Sequence, residues 1–307
     1  MRSSGTKRSA FDLWFQAVRP FSLTASVTPV LLGTALAYFE ANAFNALFFA
    51  AAMIGGLLLH MGTNLINDYY DFKKGADTIH SYGSSRILVE GLMAPAQIYR
   101  GAVVCFAMAF LLGIFLVAKF GWVIVILGLA GIVGGWFYTA NPLSYKYRAL
   151  GEPLVFTLMG PLMVFGAYFV QVEKIAISPF LVSIPIAILV AGILYANNLR
   201  DRKDDERAGF STIPKKFKWT TATRGYLILI ATAFVSLLAL VAFSFAPLWA
   251  LIALIAIAPT MKLKSTIDNA KQDVSKDLAT LDVSTAQVHF LFGTLLSIGF
   301  ILGALFG

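Results

Sequence analysis

The chain has 307 residues, of which 58% are hydrophobic and only 13% are charged, and its formal net charge is +8. Soluble globular proteins are roughly half apolar and about a quarter charged, so this composition excludes an ordinary soluble enzyme and indicates a membrane protein. The single cysteine, Cys105, allows neither an intramolecular disulfide nor a cysteine-based metal site.

The first predicted element lies within residues 1–19. Phe11, Trp14 and Phe15 stand beside basic residues, but no long apolar core precedes a small-residue cleavage site. This pattern favours a cytoplasmic, interfacial helix over a removable signal peptide.

Nine apolar runs follow, and most approach the roughly 20 residues that a helix needs to cross a bilayer. The sequence therefore predicts an all-α, polytopic membrane protein, a bundle of about nine transmembrane helices in one domain over residues 1–307. The predicted spans are 21–39, 44–66, 98–118, 121–139, 153–171, 178–198, 225–244, 247–261 and 287–306.

The basic residues predict the orientation. With the N-terminus in the cytoplasm of a cell-membrane protein, every Lys and Arg except Lys119 and Lys174 falls on the cytoplasmic side. The positive charge is then a topology signal, and we expect no nucleic-acid partner because no recognition module accompanies it. The long polar loops, and with them the chemistry, are expected in the cytoplasm.

The second span ends in a polar motif. Four side chains at i, i+3, i+4 and i+7 share one face of a continuing helix. Gly75 is expected to end that helix, so that Asp77 folds back towards the same face. The four are Asn64, Asn67, Asp68 and Asp71.

The sixth span ends in a similar motif. Asn197, Asp201 and Asp205 form one stripe, and Asn198 stands about one turn before Asp201. Two such clusters at equivalent helix ends could face one another, although each alone is also compatible with a solvated helix terminus.

Carboxylate and amide oxygens suit Mg²⁺, which takes one or two protein carboxylates together with substrate phosphate oxygens. We expect Asp68, Asp71, Asp201 and Asp205 to be catalytic metal ligands, with Asp77 as a further ligand. Nearby cations could bind a diphosphate held between the motifs. They are Lys73, Lys74, Arg86, Arg200 and Arg202.

Other polar residues give weaker signals. Tyr138 is expected as an interfacial anchor or a substrate contact. His60 and His289 are expected to pack between helices. The charged stretch 262–282, which includes Asp268, Asp273 and Asp282, is expected to be solvated.

These motifs and their order resemble one known family, the UbiA superfamily of intramembrane aromatic prenyltransferases, and within it the 1,4-dihydroxy-2-naphthoate (MenA) branch. The resemblance extends nearly end to end. It rests on Arg19-Pro20 with Ser26, Pro29 and Gly33, on Asn64 to Asp77, on Arg86 to Gly91, on Tyr138 to Glu152 with Gly160-Pro161, and on Asn197 to Asp201 with Asp205, Gly209 and Thr212.

The resemblance implies a central cavity, Mg²⁺ as cofactor, a polyprenyl diphosphate donor and an aromatic acceptor. For a naphthoate acceptor it implies that the prenyl group replaces the carboxylate. The matching metal and diphosphate positions are Asn64, Asn67, Asp68, Asp71, Asn198, Asp201 and Asp205. Phe210 departs from the pattern, since many members carry a basic residue there.

Three alternatives remain open from the sequence. Another aromatic acceptor, such as 4-hydroxybenzoate, would use the same motifs. A cation transporter would place polar groups near mid-membrane on several spans, whereas here they cluster at one face. A non-catalytic assembly factor would tolerate loss of Asp68 or Asp201.

Overall fold

The computed structural model describes residues 8–79, 81–271 and 275–307, and within these ranges the chain is helical and contains no strand. In this described part of the chain, six helical segments are long and apolar enough to cross a membrane, and two shorter apolar helices accompany them. The all-α, polytopic architecture is therefore as predicted. The interfacial segment is described from Arg8 onward, and Asp273 and residues 1–7 lie outside the described ranges.

The α-helices follow one another along the chain with short connections. In chain order they are α1 Ala10–Ala17, α2 Thr24–Ala41, α3 Ala46–Lys73, α4 Pro95–Phe120, α5 Trp122–Trp136, α6 Gly151–Thr157, α7 Met163–Val172, α8 Ser178–Val182, α9 Ile184–Arg200, α10 Arg202–Arg207, α11 Trp219–Ala242, α12 Ile257–Asn269 and α13 Leu281–Phe306. A π-helical turn, Leu158–Leu162, joins α6 to α7, and a 3₁₀ segment, Leu248–Ala256, precedes α12.

Each predicted span overlaps a helical segment, but some boundaries differ. The second span, predicted to end at 66, continues as a helix to Lys73, close to Gly75 where the sequence predicted the helix end. The sixth is divided at Ser183, where Pro185 lies in the first turn of α9 and lacks the N–H that a continuous helix would use. The stretch after 261 is helical to Asn269, which shortens the expected loop.

One side of the bundle is held together by close helix packing. A Cβ on Gly33 of α2 would collide with the carbonyl oxygen of Val164 in α7, and one on Gly293 of α13 would collide with Thr28 of α2. The buried core on this side includes Leu36, Ile186 and Phe292. Backbones in such contact leave no room for a ligand between them.

Two other loops, one after α5 and one after α10, link the end of α3 to the end of α9. The Ala149 N–H donates to the Ser211 carbonyl at 2.8 Å, and the Ser211 N–H donates to the Tyr147 carbonyl at 3.1 Å. These two bonds join the loop after α5 to the loop after α10. Because the loop after α5 also contacts the end of α3 through Lys146 and Asp71, both acidic motifs border one polar region.

Candidate active site

The first motif occupies the last turns of α3. Because the helix continues to Lys73, its four Asn and Asp side chains share one face as predicted, and Asn67, Asp68 and Asp71 are buried. Gly75 has a φ of +71°, a left-handed conformation that glycine adopts without strain. The Ala76 N–H donates back to the Asp71 carbonyl at 2.9 Å, which turns Asp77 towards the motif.

Protein cations hold both carboxylates of this motif. Arg19 pairs with Asp68. The Lys146 ammonium contacts Asp71 at 2.6 Å and the Asn67 side-chain oxygen at 3.1 Å, and the Tyr147 hydroxyl donates to Asp71 at 2.7 Å. Buried carboxylates require such partners, since an uncompensated buried charge is strongly destabilising.

Arg19 has an unusual backbone conformation. Its φ is +53°, in the left-handed region that non-glycine residues rarely adopt. Asn64 helps to fix this segment, because its amide donates to the Val18 carbonyl and to the Ser22 hydroxyl, both at 2.9 Å. Strained backbone that is held by its surroundings is typical of functional sites.

The second motif is interrupted where the sequence suggested one continuing stripe. Helix α9 ends at Arg200 and α10 begins at Arg202, so Asp201 lies at the break. The stripe survives because the Asp201 N–H still donates to the Asn197 carbonyl at 3.0 Å and the Asp205 N–H to the Asp201 carbonyl at 2.9 Å. Asp205 is buried.

Arg200 lies at the centre of this motif. Its guanidinium contacts both carboxylate oxygens of Asp201, at 2.7 and 2.9 Å, and it also contacts the Asn197 side chain. A third partner is Asp282 of α13, at 2.7 Å.

Asp282 is buried, so the expectation that it belongs to a solvated surface is wrong. Arg200 at the end of α9 brings it inward, whereas Asp268 is exposed as expected.

Asn198 points to a different partner. Its amide donates to Glu152 Oε1 at 2.9 Å, and the other Glu152 oxygen is buried without a hydrogen-bond partner in the described part of the chain. Sequence patterns did not single out Glu152 as a site residue. Its pairing connects the start of α6 to the second motif.

The segment after the first motif reaches the second one. A side chain at Gly83 would collide with the Arg200 guanidinium and the Asp201 carboxylate. Gln16 of α1 holds this segment by donating to the Ser85 carbonyl at 2.7 Å. The backbone around Gly83 therefore covers the second motif and links it to the first.

Three predicted cations make contacts with residues outside the two motifs. Lys73 is exposed beside the Tyr69 ring. Arg86 contacts Glu90 at 2.7 Å and the Ile79 carbonyl at 3.2 Å, so it braces its own loop. Arg202 donates to the Pro214 carbonyl at 2.6 Å.

Lys74 lies closer to the first motif. Its ammonium is 3.9 Å from the centroid of the Tyr147 ring and 3.3 Å from the Thr139 carbonyl. Phe210, the departure from the expected basic position, stacks on the same Tyr147 ring at a centroid distance of 4.0 Å. The two contacts together fix the ring whose hydroxyl binds Asp71.

A cavity of about 330 Å³ extends from the motifs into the bundle. The body of the cavity is lined by apolar residues of α2 to α7 and α9. The polar residues that line it are at its other end and include Arg19, Asn64, Asn67, Tyr138, Lys146, Asn197 and Asp282. His60 also lines it and contacts the Ser26 hydroxyl at 2.9 Å, so it is more than the packing residue expected from sequence. His289 is buried outside this cavity, in agreement with a packing role.

The carboxylates of both motifs have capacity for a cation. One oxygen of Asp68 and one of Asp205 are buried without a hydrogen-bond partner among the described residues. Burial, reinforced by the charges of Asp71 and Asp68, raises the pKa of Asp77 to about 8. Burial also raises the pKa of Asp205 to about 7, against the opposing effect of Lys146.

Within the described ranges, no three His, Cys, Asp or Glu side chains converge on one point as a ready-made metal cage. Mg²⁺ does not require one, because it usually binds one or two protein carboxylates and takes its other ligands from phosphate and water. The donor set therefore fits Mg²⁺ bound together with a diphosphate.

Sequence reasoning missed four contributors to this site. Arg19 and Lys146 stood out only as members of segments in the resemblance. Tyr147 was expected, like Tyr138, as an interfacial anchor or a substrate contact, and Asp282 as a surface residue. Lys146 offered one usable signal, since it follows Tyr145 in a short polar loop that faces the same side as both motifs. Arg19, Lys146 and Tyr147 pair with carboxylates of the first motif, and Asp282 pairs with Arg200 of the second. These pairings depend on tertiary structure.

Comparisons with known proteins agree with this geometry. The sequence model of the UbiA prenyltransferase family matches residues 26–280. The chain is similar to 1,4-dihydroxy-2-naphthoate octaprenyltransferase of Bacillus subtilis, with 35% identity over 297 residues that cover 96% of this chain and 94% of that protein. It is also similar to human UbiA prenyltransferase domain-containing protein 1, with 35% identity over 204 residues that cover 64% of this chain and 58% of that protein.

Solved structures share the fold. A UbiA homolog from Archaeoglobus fulgidus bound to GPP and Mg²⁺ has a TM-score of 0.64 and 16% identity, covering 93% of this chain and 99% of that one. A UbiA homolog from Aeropyrum pernix has a TM-score of 0.67 and 14% identity, covering 91% and 97% of the two chains.

Proposed function

Because the chain belongs to the UbiA prenyltransferase family, we propose that it transfers a polyprenyl group from a polyprenyl diphosphate to 1,4-dihydroxy-2-naphthoate, with Mg²⁺ as cofactor. The predicted family and enzyme class are confirmed by the family match over residues 26–280, and the chain is a multi-pass membrane prenyltransferase. One observation supports the proposed reaction: Asn64 and Asn67 of the first motif and Asn197 of the second line the polar end of one cavity whose body is apolar.

The choice of acceptor is supported by the extent of one similarity. The Bacillus subtilis protein that acts on 1,4-dihydroxy-2-naphthoate aligns with 96% of this chain, including both motifs and the loops between them. Acceptor recognition depends on side chains spread over several helices, so a match along the whole chain supports a shared acceptor better than either motif alone.

We propose that Asp68, Asp71, Asp77, Asp201 and Asp205 hold the magnesium. Bound Mg²⁺ would supply the positive charge that stabilises the diphosphate as it departs. Lys146 and Arg19 line the polar end of the cavity, where they can turn from the carboxylates to phosphate oxygens. Asn64 and Asn67 present amide groups to the same space, and Asn198 supports the second motif through Glu152.

The remaining steps follow from the chemistry of the proposed donor and acceptor. The C–O bond of the donor breaks, and the diphosphate leaves with the electron pair. The aromatic ring of the acceptor then attacks the allylic cation, and the acceptor carboxylate leaves as CO₂. The apolar walls keep water from the cation. Tyr138 also lines this cavity, and we propose that it contacts the acceptor.

We further propose that the N-terminus and the site loops face the cytoplasm and that residues 1–307 act as one domain in the cell membrane. The distribution of basic residues supports this orientation. In a Cys105→Ser background, single cysteines at Lys203 and Lys174 should react with a membrane-impermeant maleimide from opposite sides. Labelling of Lys203→Cys in intact cells would contradict the orientation.

The test of function is prenyl transfer by the purified protein. Geranylgeranyl diphosphate is supplied with 1,4-dihydroxy-2-naphthoate or 4-hydroxybenzoate, in Mg²⁺ or in EDTA. We expect a prenylated naphthoquinol that requires Mg²⁺. Turnover of 4-hydroxybenzoate alone would overturn the acceptor, and absence of transfer with every donor length and acceptor would overturn the reaction.

A further inference from the structure

Asp282 and Arg200 form a buried ion pair beside the second motif. Arg200 is 2% exposed and Asp282 is 6% exposed. Arg200 ends α9 and Asp282 lies in the first turn of α13, and each helix end favours the charge that it carries. The two side chains meet at 2.7 Å, although they are far apart in the chain.

The same guanidinium occupies both oxygens of Asp201. Without another anion, this arginine and a metal ion would compete for one carboxylate, and two cations would face each other in a buried place. With Asp282, the three groups carry a net charge of −1, because one cation meets two anions. A divalent cation is then attracted to the cluster.

We propose that Asp282 is a positioning residue for metal binding: it compensates the charge of Arg200, so that Asp201 can bind Mg²⁺ while Arg200 stays in place. This inference rests on the proposed function. Asp282 acts through Arg200, and Asp201 remains the ligand.

Three further features agree with this role. Asp282 lines the cavity beside Asn197, so its charge is close to the space where a metal and a diphosphate would lie. Its other oxygen accepts from the Val283 N–H at 2.9 Å, which fixes the direction of the carboxylate. The backbone at Gly83 also packs against Arg200 and Asp201, which leaves the guanidinium little freedom to move away.

The test is direct binding of Mn²⁺ to the purified protein with geranyl diphosphate and no acceptor, measured by electron paramagnetic resonance. Asp282→Asn removes the charge and keeps the shape. Asp282→Glu keeps the charge. Asp268→Asn is the matched control, because it removes one carboxylate charge from an exposed pair with Lys264.

We expect Asp282→Asn to weaken Mn²⁺ binding by about tenfold or more, and Asp282→Glu and Asp268→Asn to remain within about threefold of wild type. Equal affinity in wild type and folded Asp282→Asn would overturn the inference. If Asp282→Asn does not fold, Asp282→Ser makes the same charge change and leaves room for a water to bind Arg200, with the same expected loss. Failure of wild type to bind Mn²⁺ would contradict the proposed function instead.

Discussion

Asp204 and Asp205 are neighbours in the chain but differ in surroundings. Asp205 is buried and has an oxygen without a partner among the described residues, whereas Asp204 pairs with the exposed Arg207. We expect Asp205→Asn to lower kcat by about 10²–10³-fold, as for loss of one preorganised charge at a reacting centre. Asp204→Asn should stay within about threefold of wild type, because exposed pairs contribute little. Equal losses in steady-state assays of the two variants would contradict this assignment.

Lys146 and Lys73 offer a second contrast at the same scale. Lys146 lines the cavity and contacts Asp71, while Lys73 is exposed beside Tyr69. Lys146→Gln should therefore raise the KM for the diphosphate donor by about tenfold or more, since a charged hydrogen bond to phosphate is lost. Lys73→Gln serves as the control and should leave that KM unchanged. An unaltered KM in Lys146→Gln would remove Lys146 from the donor site.

At the scale of helices, α2 and α7 touch through Gly33. A methyl group there would meet the Val164 carbonyl, which is backbone and cannot move aside cheaply. Gly33→Ala should lower the free energy of unfolding by about 1–3 kcal/mol, as overpacking typically does. Gly113→Ala is the control, because a Cβ there meets no neighbouring heavy atom within 4 Å and alanine favours the helix. Thermal unfolding in detergent would measure both, and a Gly33→Ala protein as stable as wild type would contradict the close packing.

The helices were predictable because long apolar runs must form helices in a bilayer. The face shared by Asn64, Asn67, Asp68 and Asp71 followed from helical periodicity alone. The end of α3 at Lys73 agrees with the helix end predicted at Gly75, although hydropathy alone stops at the membrane boundary. The burial of Asp282 depends on Arg200 of another helix, a contact that no local pattern contains.

Some of the site residues could be predicted from the sequence and others could not. The motif carboxylates were found because oxygen ligands at helical spacing are visible in the sequence. Their partners Arg19, Lys146 and Tyr147 come from loops whose positions depend on how the helices pack. Arg86 and Arg202 show the converse: both are basic and close to a motif in the chain, yet both bind backbone carbonyls of loops. Their closeness to the motifs in the sequence identified them as candidate cations, but it did not predict which groups their side chains contact.

Across the whole molecule, the cavity joins the polar motifs to the interior of the bundle. Its lining runs from Asn67 back to Ala51 on α3, which at 1.5 Å per residue is about 24 Å. Glycines on three facing helices keep this space open, among them Gly55, Gly113 and Gly128. A glycine in a helix interior lowers helix stability by about 0.5–1 kcal/mol relative to alanine. At these positions that loss accompanies a cavity that no side chain fills. If the proposed function is right, we expect this space to hold the prenyl tail of the donor.

Filling the space should change which donors are accepted. Among the described residues no neighbouring heavy atom lies within 4 Å of a Cβ on Gly128, so Gly128→Ala meets no clash and the longer side chain of Gly128→Leu starts from open space. We expect kcat/KM for geranylgeranyl and longer donors to fall with side-chain size, by about tenfold or more for leucine, while geranyl diphosphate is used nearly as well as before. Ala107→Leu, on the exposed face of α4, is the control for added bulk. If Gly128→Leu lowered kcat/KM equally for short and long donors, the tail would have to lie elsewhere, because a blocked channel must discriminate by length.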